Sequence, residues 1–138
     1  MGKKSLAVYN ISYHIVWCPK FRKPILVGKV KEFVEEQLET IAQTKGYRIL
    51  EAKVMPDHIH LFVEADPFDS PTNIVKIFKG VTGLRMSRKF PDLESKLWRG
   101  VMWSPSYYVG TAGNVSAETI ERYIREQQTE WKRGSSNG

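Results

Sequence analysis

Cysteine and long apolar stretches are scarce in this chain of 138 residues. The single cysteine, Cys18, excludes an internal disulfide framework and fits a reducing compartment, so we expect the protein in the cytoplasm. No apolar run reaches the roughly 18 residues that are needed to cross a bilayer, and we expect no membrane contact. The segment after Met1 has neither the apolar stretch nor the cleavage site of a signal peptide.

Several motifs of known chemistry are also missing. The sequence has no phosphate-binding GxxxxGK[ST] loop. It has neither a CxxC nor an HExxH motif, so a structural zinc site or a zinc protease is not expected. Candidate metal ligands of the imidazole type are few, because the chain has only 3 histidines.

The charges are unevenly distributed, with a net charge of +6. Acidic residues concentrate in one predicted helix, and basic residues cluster elsewhere, so we predict a positive face that attracts phosphate backbones. A soluble basic protein with no nucleic-acid partner would explain the totals as well. The candidate DNA contacts are Lys20, Arg22, Lys23, Lys76, Lys79, Arg85 and Arg88.

Hydrophobic periodicity predicts one α+β domain over residues 1–138, with elements in the order β-α-β-β-α-β-α. Strands are predicted at residues 6–17, 47–55, 58–65, 97–102 and 107–109. Helices are predicted at residues 28–45, 72–89 and 116–131. The first six elements match the ferredoxin-like, split βαβ fold, an antiparallel sheet with helices on one face. The extra C-terminal helix follows a flexible linker at 110–114, and the tail at 132–138 is expected to be disordered.

Two glycines interrupt the second predicted helix. Gly80 and Gly83 each cost about 1 kcal/mol relative to alanine in a helix. Their presence alternatively permits the close approach of another backbone.

His58 and His60 stand two residues apart on a predicted strand. Strand side chains alternate, so both imidazoles project from one face while Ile59 and Leu61 enter the core. Two neutral imidazoles at this separation can share one divalent ion. A pair of solvated or hydrogen-bonded histidines remains an alternative, and the role of His14, on the first strand, is open.

Tyr123 and Gln127 lie four residues apart on one face of the last predicted helix. Taken alone, this helix favours a packing role for Tyr123 beside the apolar side chains of Ile120 and Ile124. A phenol has a pKa near 10 and is a poor nucleophile unless a cation or an activated phosphate is near.

Five segments, in this order along the chain, resemble the small single-tyrosine HUH transposases of bacterial and archaeal insertion sequences, the IS200-like TnpA type. The segment that contains both histidines is the most specific of them. The segments are YHIVW at 13–17, KFRKP at 20–24, VMPDHIHL at 54–61, SPSYY at 104–108 and IERYIREQ at 120–127.

The resemblance implies a role for each of four residues. His58 and His60 would be the metal-binding pair of the motif, and Gln127 would complete the metal site with its amide oxygen. Tyr123 would be the nucleophile that forms a 5′-phosphotyrosine and frees a 3′-OH. A Tyr–DNA bond stores the energy of the phosphodiester, which agrees with the missing ATP-binding loop.

The resemblance also implies the cofactor and the partners. The metal would be Mg²⁺ or Mn²⁺, with phosphate oxygens as the hard ligands that imidazoles do not supply. The substrate would be single-stranded DNA with hairpin ends. The protein would be a homodimer in which the C-terminal helices can be exchanged between the two chains.

Three alternatives remain at this point. A replication initiator or relaxase also pairs a histidine motif with tyrosine, but such enzymes are larger and usually permuted. An RNA-recognition module has the same topology, yet it needs aromatic side chains on the open sheet face, where Phe62 is the clear candidate. A domesticated, inactive relative is the third.

Overall fold

The computed structural model describes residues 11–95, 101–111, 119 and 121–126. Residues 119 and 121–126 are helical. None of the helices in these ranges combines the length and the apolarity required to cross a bilayer. The elements are β1 (Ile11–Trp17), a 3₁₀ turn (Lys20–Arg22), α1 (Gly28–Lys45), β2 (Arg48–Met55), β3 (His58–Ala65), α2 (Pro71–Lys89), α3 (Pro91–Ser95) and β4 (Tyr108–Thr111).

The four strands form one sheet in the order β2-β3-β1-β4. β1 pairs antiparallel with both β3 and β4, and β2 pairs antiparallel with β3. This arrangement confirms the predicted ferredoxin-like fold. It also places β1 and β3, which carry all three histidines, at the centre of the sheet.

The two faces of β3 differ in what covers them. Its odd-numbered residues from Ile59 to Ala65 are buried and belong to one core cluster with apolar residues of α1 and α2. Its even-numbered residues from His58 to Glu64 are half-buried and lie on the opposite, open face. The alternation of the sequence therefore separates a packing face from a face that a substrate can reach.

Local signals explain where the helices begin and end. The Ser70 side chain accepts a hydrogen bond from the backbone N–H of Asn73 at 3.0 Å and caps the start of α2. Gly46 ends α1 in the left-handed region, with φ of 77°. The predicted bounds 28–45 and 58–65 are confirmed, whereas the strand predicted from residue 47 begins at Arg48 and the helix predicted from residue 72 begins at Pro71.

The prediction was wrong near the last strand. Residues 101 and 102 are not in a strand, and Trp103 forms only an isolated bridge with Pro19. β4 extends to Thr111, because Gly110 pairs with His14, although residues 110–114 were expected to be a linker. Residues 6–10, 97–100, 112–118 and the tail at 132–138 lie outside the described ranges.

Gly83 allows the close approach of a side chain from the same chain. A Cβ atom at Gly83 would lie 3.0 Å from the indole nitrogen of Trp103. That nitrogen donates a hydrogen bond to the Lys79 carbonyl at 3.0 Å, so the indole lies directly on α2. Apart from the neighbouring residues and backbone of α2 itself, no heavy atom of the described chain lies within 4 Å of a Cβ built at Gly80.

Candidate active site

The open face of the sheet contains all three histidines. His58 and His60 are on β3, and His14 is on β1 in register with Phe62. All three side chains are half-buried. The expected projection of His58 and His60 from one face agrees with this arrangement.

Asp57 and Arg22 hold His58. The Nδ1 atom of His58 lies 2.9 Å from Oδ1 of Asp57, and Nε of Arg22 donates to Oδ2 of the same carboxylate at 2.5 Å. Burial alone would raise the pKa of Asp57, but the hydrogen bonds from His58 and Arg22 outweigh it and lower that pKa below its usual range. A charged Asp57 accepts the Nδ1 proton of His58, which leaves the Nε2 lone pair of His58 for a metal.

The loop that supplies Arg22 has an unusual backbone. Phe21 and Arg22 both adopt positive φ angles, 58° and 54°. A residue with a side chain is rarely left-handed, and two in succession are held only where surrounding contacts compensate. Arg22 makes such contacts, since its guanidinium also donates to the Ile124 carbonyl at 3.3 Å. Arg22 therefore joins the strand turn before His58 to the helical residues 121–126.

His60 contacts the third histidine. The Nε2 atom of His60 lies 3.0 Å from Nδ1 of His14. Burial lowers the pKa of both imidazoles from the ordinary value, and for His60 the neighbouring His14 and Lys53 lower it further. Both rings are therefore neutral at neutral pH, the form in which an imidazole can bind a metal.

Tyr123 is half-buried, and its hydroxyl lies 3.3 Å from Oγ of Ser106. The Ser106 loop is held by Lys79, whose ammonium group donates to the carbonyls of Ser104 at 2.9 Å, Pro105 at 3.4 Å and Ser106 at 3.3 Å. The segment around Ser106 is one of the five that carry the family resemblance, but the sequence indicated no role for Ser106 itself. Only the fold, which brings residue 106 to residue 123, shows the contact.

The predicted DNA contacts separate into two groups. Arg22 and Lys79 make internal hydrogen bonds, and the Lys20 ammonium lies over the Phe21 ring. Lys23 is half-buried in the same loop region. The remaining three are exposed on α2, in the helix layer across the sheet from the histidines; they are Lys76, Arg85 and Arg88. Of these, Arg85 also donates a hydrogen bond to Oε1 of Gln37 at 2.6 Å. Their contact with DNA stays a prediction.

The donor set fits a divalent metal in part. His58 and His60 each offer one nitrogen that is free of the contacts with Asp57 and His14. Among the described residues, no group of three or more His, Cys, Asp or Glu side chains is arranged to hold an ion. Gln127, the predicted third ligand, lies outside the described ranges. Two imidazoles fit a site that takes its other ligands from an amide and from phosphate oxygens.

The fold and the histidine pair on its open face agree with the resemblance found in the sequence, and sequence comparison gives the family. The family model described as "Transposase IS200 like" matches residues 7–127. The chain belongs to this family of IS200-like transposases. Membership decides against the replication initiator and the RNA-recognition module that the sequence alone left open.

Two relatives of known sequence cover most of the chain. It is 38% identical over 120 residues to the ISDra2 transposase TnpA of Deinococcus radiodurans, across 87% of this chain and 86% of the relative. It is 37% identical over 134 residues to the transposase for insertion sequence element IS200 of Salmonella typhimurium, across 96% of this chain and 88% of the relative.

Two solved structures have a similar fold. One is described as a transposase from Deinococcus radiodurans, with a TM-score of 0.83 and 35% identity over 92% of this chain and 98% of the other. The other is a REP-associated tyrosine transposase bound to a REP hairpin, with a TM-score of 0.55 and 10% identity over 90% of this chain and 68% of the other. At that identity the second likeness concerns the fold alone.

Proposed function

We propose that this transposase cleaves and rejoins single-stranded DNA at the ends of its insertion sequence, with Tyr123 as the nucleophile. Family membership supports transposition and, with it, DNA cleavage and strand transfer. The tyrosine, the single-stranded substrate and the metal are the finer part of the proposal.

In the proposed reaction, the hydroxyl oxygen of Tyr123 attacks a backbone phosphorus, and the bond between that phosphorus and the 3′ oxygen breaks. The phenolic proton leaves to water or a neighbouring base, and the 3′ oxygen takes up a proton to become a 3′-OH. The DNA fragment on the 3′ side of the break is then joined to Tyr123 through its 5′ phosphate. Attack by another 3′-OH reverses these steps and joins new ends, so the number of phosphodiester bonds is conserved and no ATP is needed.

The link through Arg22 is the observation that carries the proposal. Arg22 contacts the Ile124 carbonyl, next to Tyr123, and also Asp57, next to His58. One residue thus holds both the turn with the proposed nucleophile and the turn with a proposed metal ligand. Phosphoryl transfer depends mainly on positioning and charge, and such a shared support provides positioning.

His58, His60 and the predicted Gln127 would hold Mg²⁺ or Mn²⁺. Such an ion, when bound, would offset the charge on the phosphate oxygens. The side chains of the site would orient the phosphate and would keep the Tyr123 hydroxyl close to that phosphate. Ser106 is placed to contribute to that restriction through its contact with the hydroxyl.

Hairpin ends are the proposed form of the substrate. The REP-associated tyrosine transposase, which shares this fold, was solved with a hairpin bound. The net charge of +6 supports attraction to a phosphate backbone. The expected homodimer with exchanged C-terminal helices stays part of the proposal.

A covalent trapping experiment tests the tyrosine. The protein is incubated with Mg²⁺ and a labelled single-stranded hairpin from its flanking DNA, and adducts are separated on a denaturing gel. We expect an adduct with the wild type and with Tyr108→Phe, which removes a phenol from β4, and none with Tyr123→Phe. An adduct that survives Tyr123→Phe would contradict the assignment.

A second set of variants tests the metal ligands. We expect His58→Ala and His60→Ala to lose the adduct while they still bind the hairpin in a filter-binding assay. Chelation of the metal should abolish the adduct, and added Mn²⁺ should restore it. Full adduct formation by either variant in the presence of chelator would contradict the metal role.

A further inference from the structure

His14 is the one histidine that the proposed function leaves without a role. It lies on β1, where it is in register with Phe62, while His60 is in register with Val16. His14 and His60 are therefore diagonal neighbours on the open face, a separation that ring side chains can bridge. The sheet register, which connects residues far apart in sequence, creates this contact.

The His14 ring is held in a defined orientation. It stacks on the Phe62 ring with centroids 4.1 Å apart and an interplanar angle of 4°. Its Nδ1 atom points to Nε2 of His60 at 3.0 Å, and the two imidazole planes are tilted by 45°. Phe62 thus fixes the plane of His14, and His14 in turn contacts one specific atom of His60.

The two histidines of the motif are held in a similar way, each through one ring nitrogen. His58 has its Nδ1 atom engaged by Asp57, and His60 has its Nε2 atom engaged by His14. Each imidazole is left with one nitrogen for a metal. Ligand histidines in metalloproteins commonly use the second nitrogen in this way, since the outer contact fixes both the tautomer and the ring orientation.

We propose that His14 is a positioning residue for His60: its Nδ1 atom accepts the Nε2 proton of His60 and leaves Nδ1 of His60 as the metal-binding atom. The direction of donation follows from the ligand role, because a neutral imidazole can bind a metal only through its unprotonated nitrogen. This inference rests on the proposed metal role of His60. It assigns His14 no direct contact with metal or DNA.

Two variants separate the hydrogen bond from the stacking. His14→Phe keeps an aromatic ring on Phe62 but has no nitrogen. His14→Asn loses the ring, yet its amide oxygen occupies the same branch position as Nδ1 and can accept the bond. Thermal unfolding of both variants verifies that the sheet is intact.

The tautomer of His60 is the first readout, measured in the metal-free protein at pH 8 by long-range ¹H–¹⁵N spectra after histidine labelling. With 3 histidines in the chain, assignment needs only single substitutions. We expect one tautomer of His60 with the proton on Nε2 in the wild type and in His14→Asn, and a mixture of both in His14→Phe. Unchanged populations in His14→Phe, or a wild-type proton on Nδ1 of His60, would overturn the proposal.

Mn²⁺ affinity, followed by the electron paramagnetic resonance of the free ion, is the second readout. We expect about a 10- to 100-fold loss in His14→Phe, the range seen when an outer partner of a ligand is removed, and a recovery in His14→Asn. A loss in His14→Phe with the wild-type tautomer of His60 retained would overturn the proposal, because His14 would then act on the ion directly.

Failure of the proposed function gives a different pattern. If the wild type forms no adduct with DNA, the cleavage proposal fails, while the tautomer measurement on the metal-free protein still decides the role of His14. If the adduct forms and the tautomer does not respond to His14→Phe, only the positioning role fails.

Discussion

The two faces of strand β3 show how one stretch of eight residues serves two purposes. Residues Ile59, Leu61 and Val63 are completely buried under the helices. Alternating with them along the strand, His58 and His60 lie half-buried on the open face, and each is held by a polar partner. The packing of the buried face depends on side-chain volume, and a change in that volume is poorly tolerated. The proposed function of the open face depends on the orientation of individual nitrogen atoms. Substitutions on the two faces should therefore damage different properties.

Leu61→Ala and His60→Ala form the strongest test of this difference. We expect Leu61→Ala to lower the free energy of unfolding by about 2–5 kcal/mol, because it leaves a cavity in the core. His60→Ala should cost no more than about 1.5 kcal/mol, the value of one hydrogen bond, yet abolish the DNA adduct. Urea unfolding and adduct gels measure both properties.

The opposite pattern would contradict a division of roles between the two faces of β3. If Leu61→Ala, assayed below its unfolding midpoint, lost the adduct, or if His60→Ala unfolded like a core variant, the two faces would not be separable.

Arg22→Lys tests the link between the open face and residues 121–126. Lysine keeps the charge but lacks the planar fork that contacts Asp57 and the Ile124 carbonyl together. We expect the rate of adduct formation to fall about 10- to 100-fold through misplacement of Tyr123, with hairpin affinity nearly unchanged. The matched control is Arg48→Lys, since the Arg48 side chain is 75% exposed. Equal rates for both variants would contradict the link.

Gly80 and Gly83 differ in how closely α2 is packed around them. At Gly80, alanine meets open space and should raise the free energy of unfolding by about 0.5–1 kcal/mol through helix propensity. At Gly83, the added methyl meets the Trp103 indole, and the same substitution should give no gain or a loss. Thermal unfolding of the two variants measures the difference, and equal stabilisation would show that the Trp103 loop yields freely.

We expect the smallest effect for a thiol reagent added to the folded protein, because Cys18 should not react with it. The thiol is completely buried, and burial raises its pKa to about 12. The thiolate is the reactive form, so almost none is present at pH 8. We expect no labelling by a thiol reagent at pH 8 until denaturant is added. Rapid labelling without denaturant would show that this end of β1 opens readily.

Local sequence signals were sufficient for much of the fold. The bounds of α1 and β3 were correct, because the Gly46 stop and the strict alternation after Pro56 are local features. The last strand was misjudged because Gly110 is favoured in loops, whereas pairing with His14 on β1 decided its conformation.

The supports of the site depend on distant parts of the chain and were not foreseen. Arg22 was predicted to contact DNA because the sequence shows only that it is a basic residue in a basic cluster. The left-handed backbone at Phe21 and Arg22, which directs the Arg22 side chain to Asp57, could not be predicted from the residue types. The contact of His14 with His60 follows from the β1–β3 register. The sequence motif identified the proposed metal ligands, and only the fold showed the residues that contact and orient them.

Mass spectrometry of the covalent adduct would identify the residue that becomes joined to the DNA. The adduct formed with a hairpin and Mg²⁺ would be digested with nuclease and protease, and the peptide that retains a nucleotide would be sequenced. We expect a nucleotide joined through its 5′ phosphate to the hydroxyl oxygen of Tyr123. A nucleotide on any other residue, or strand transfer without a covalent intermediate, would contradict it.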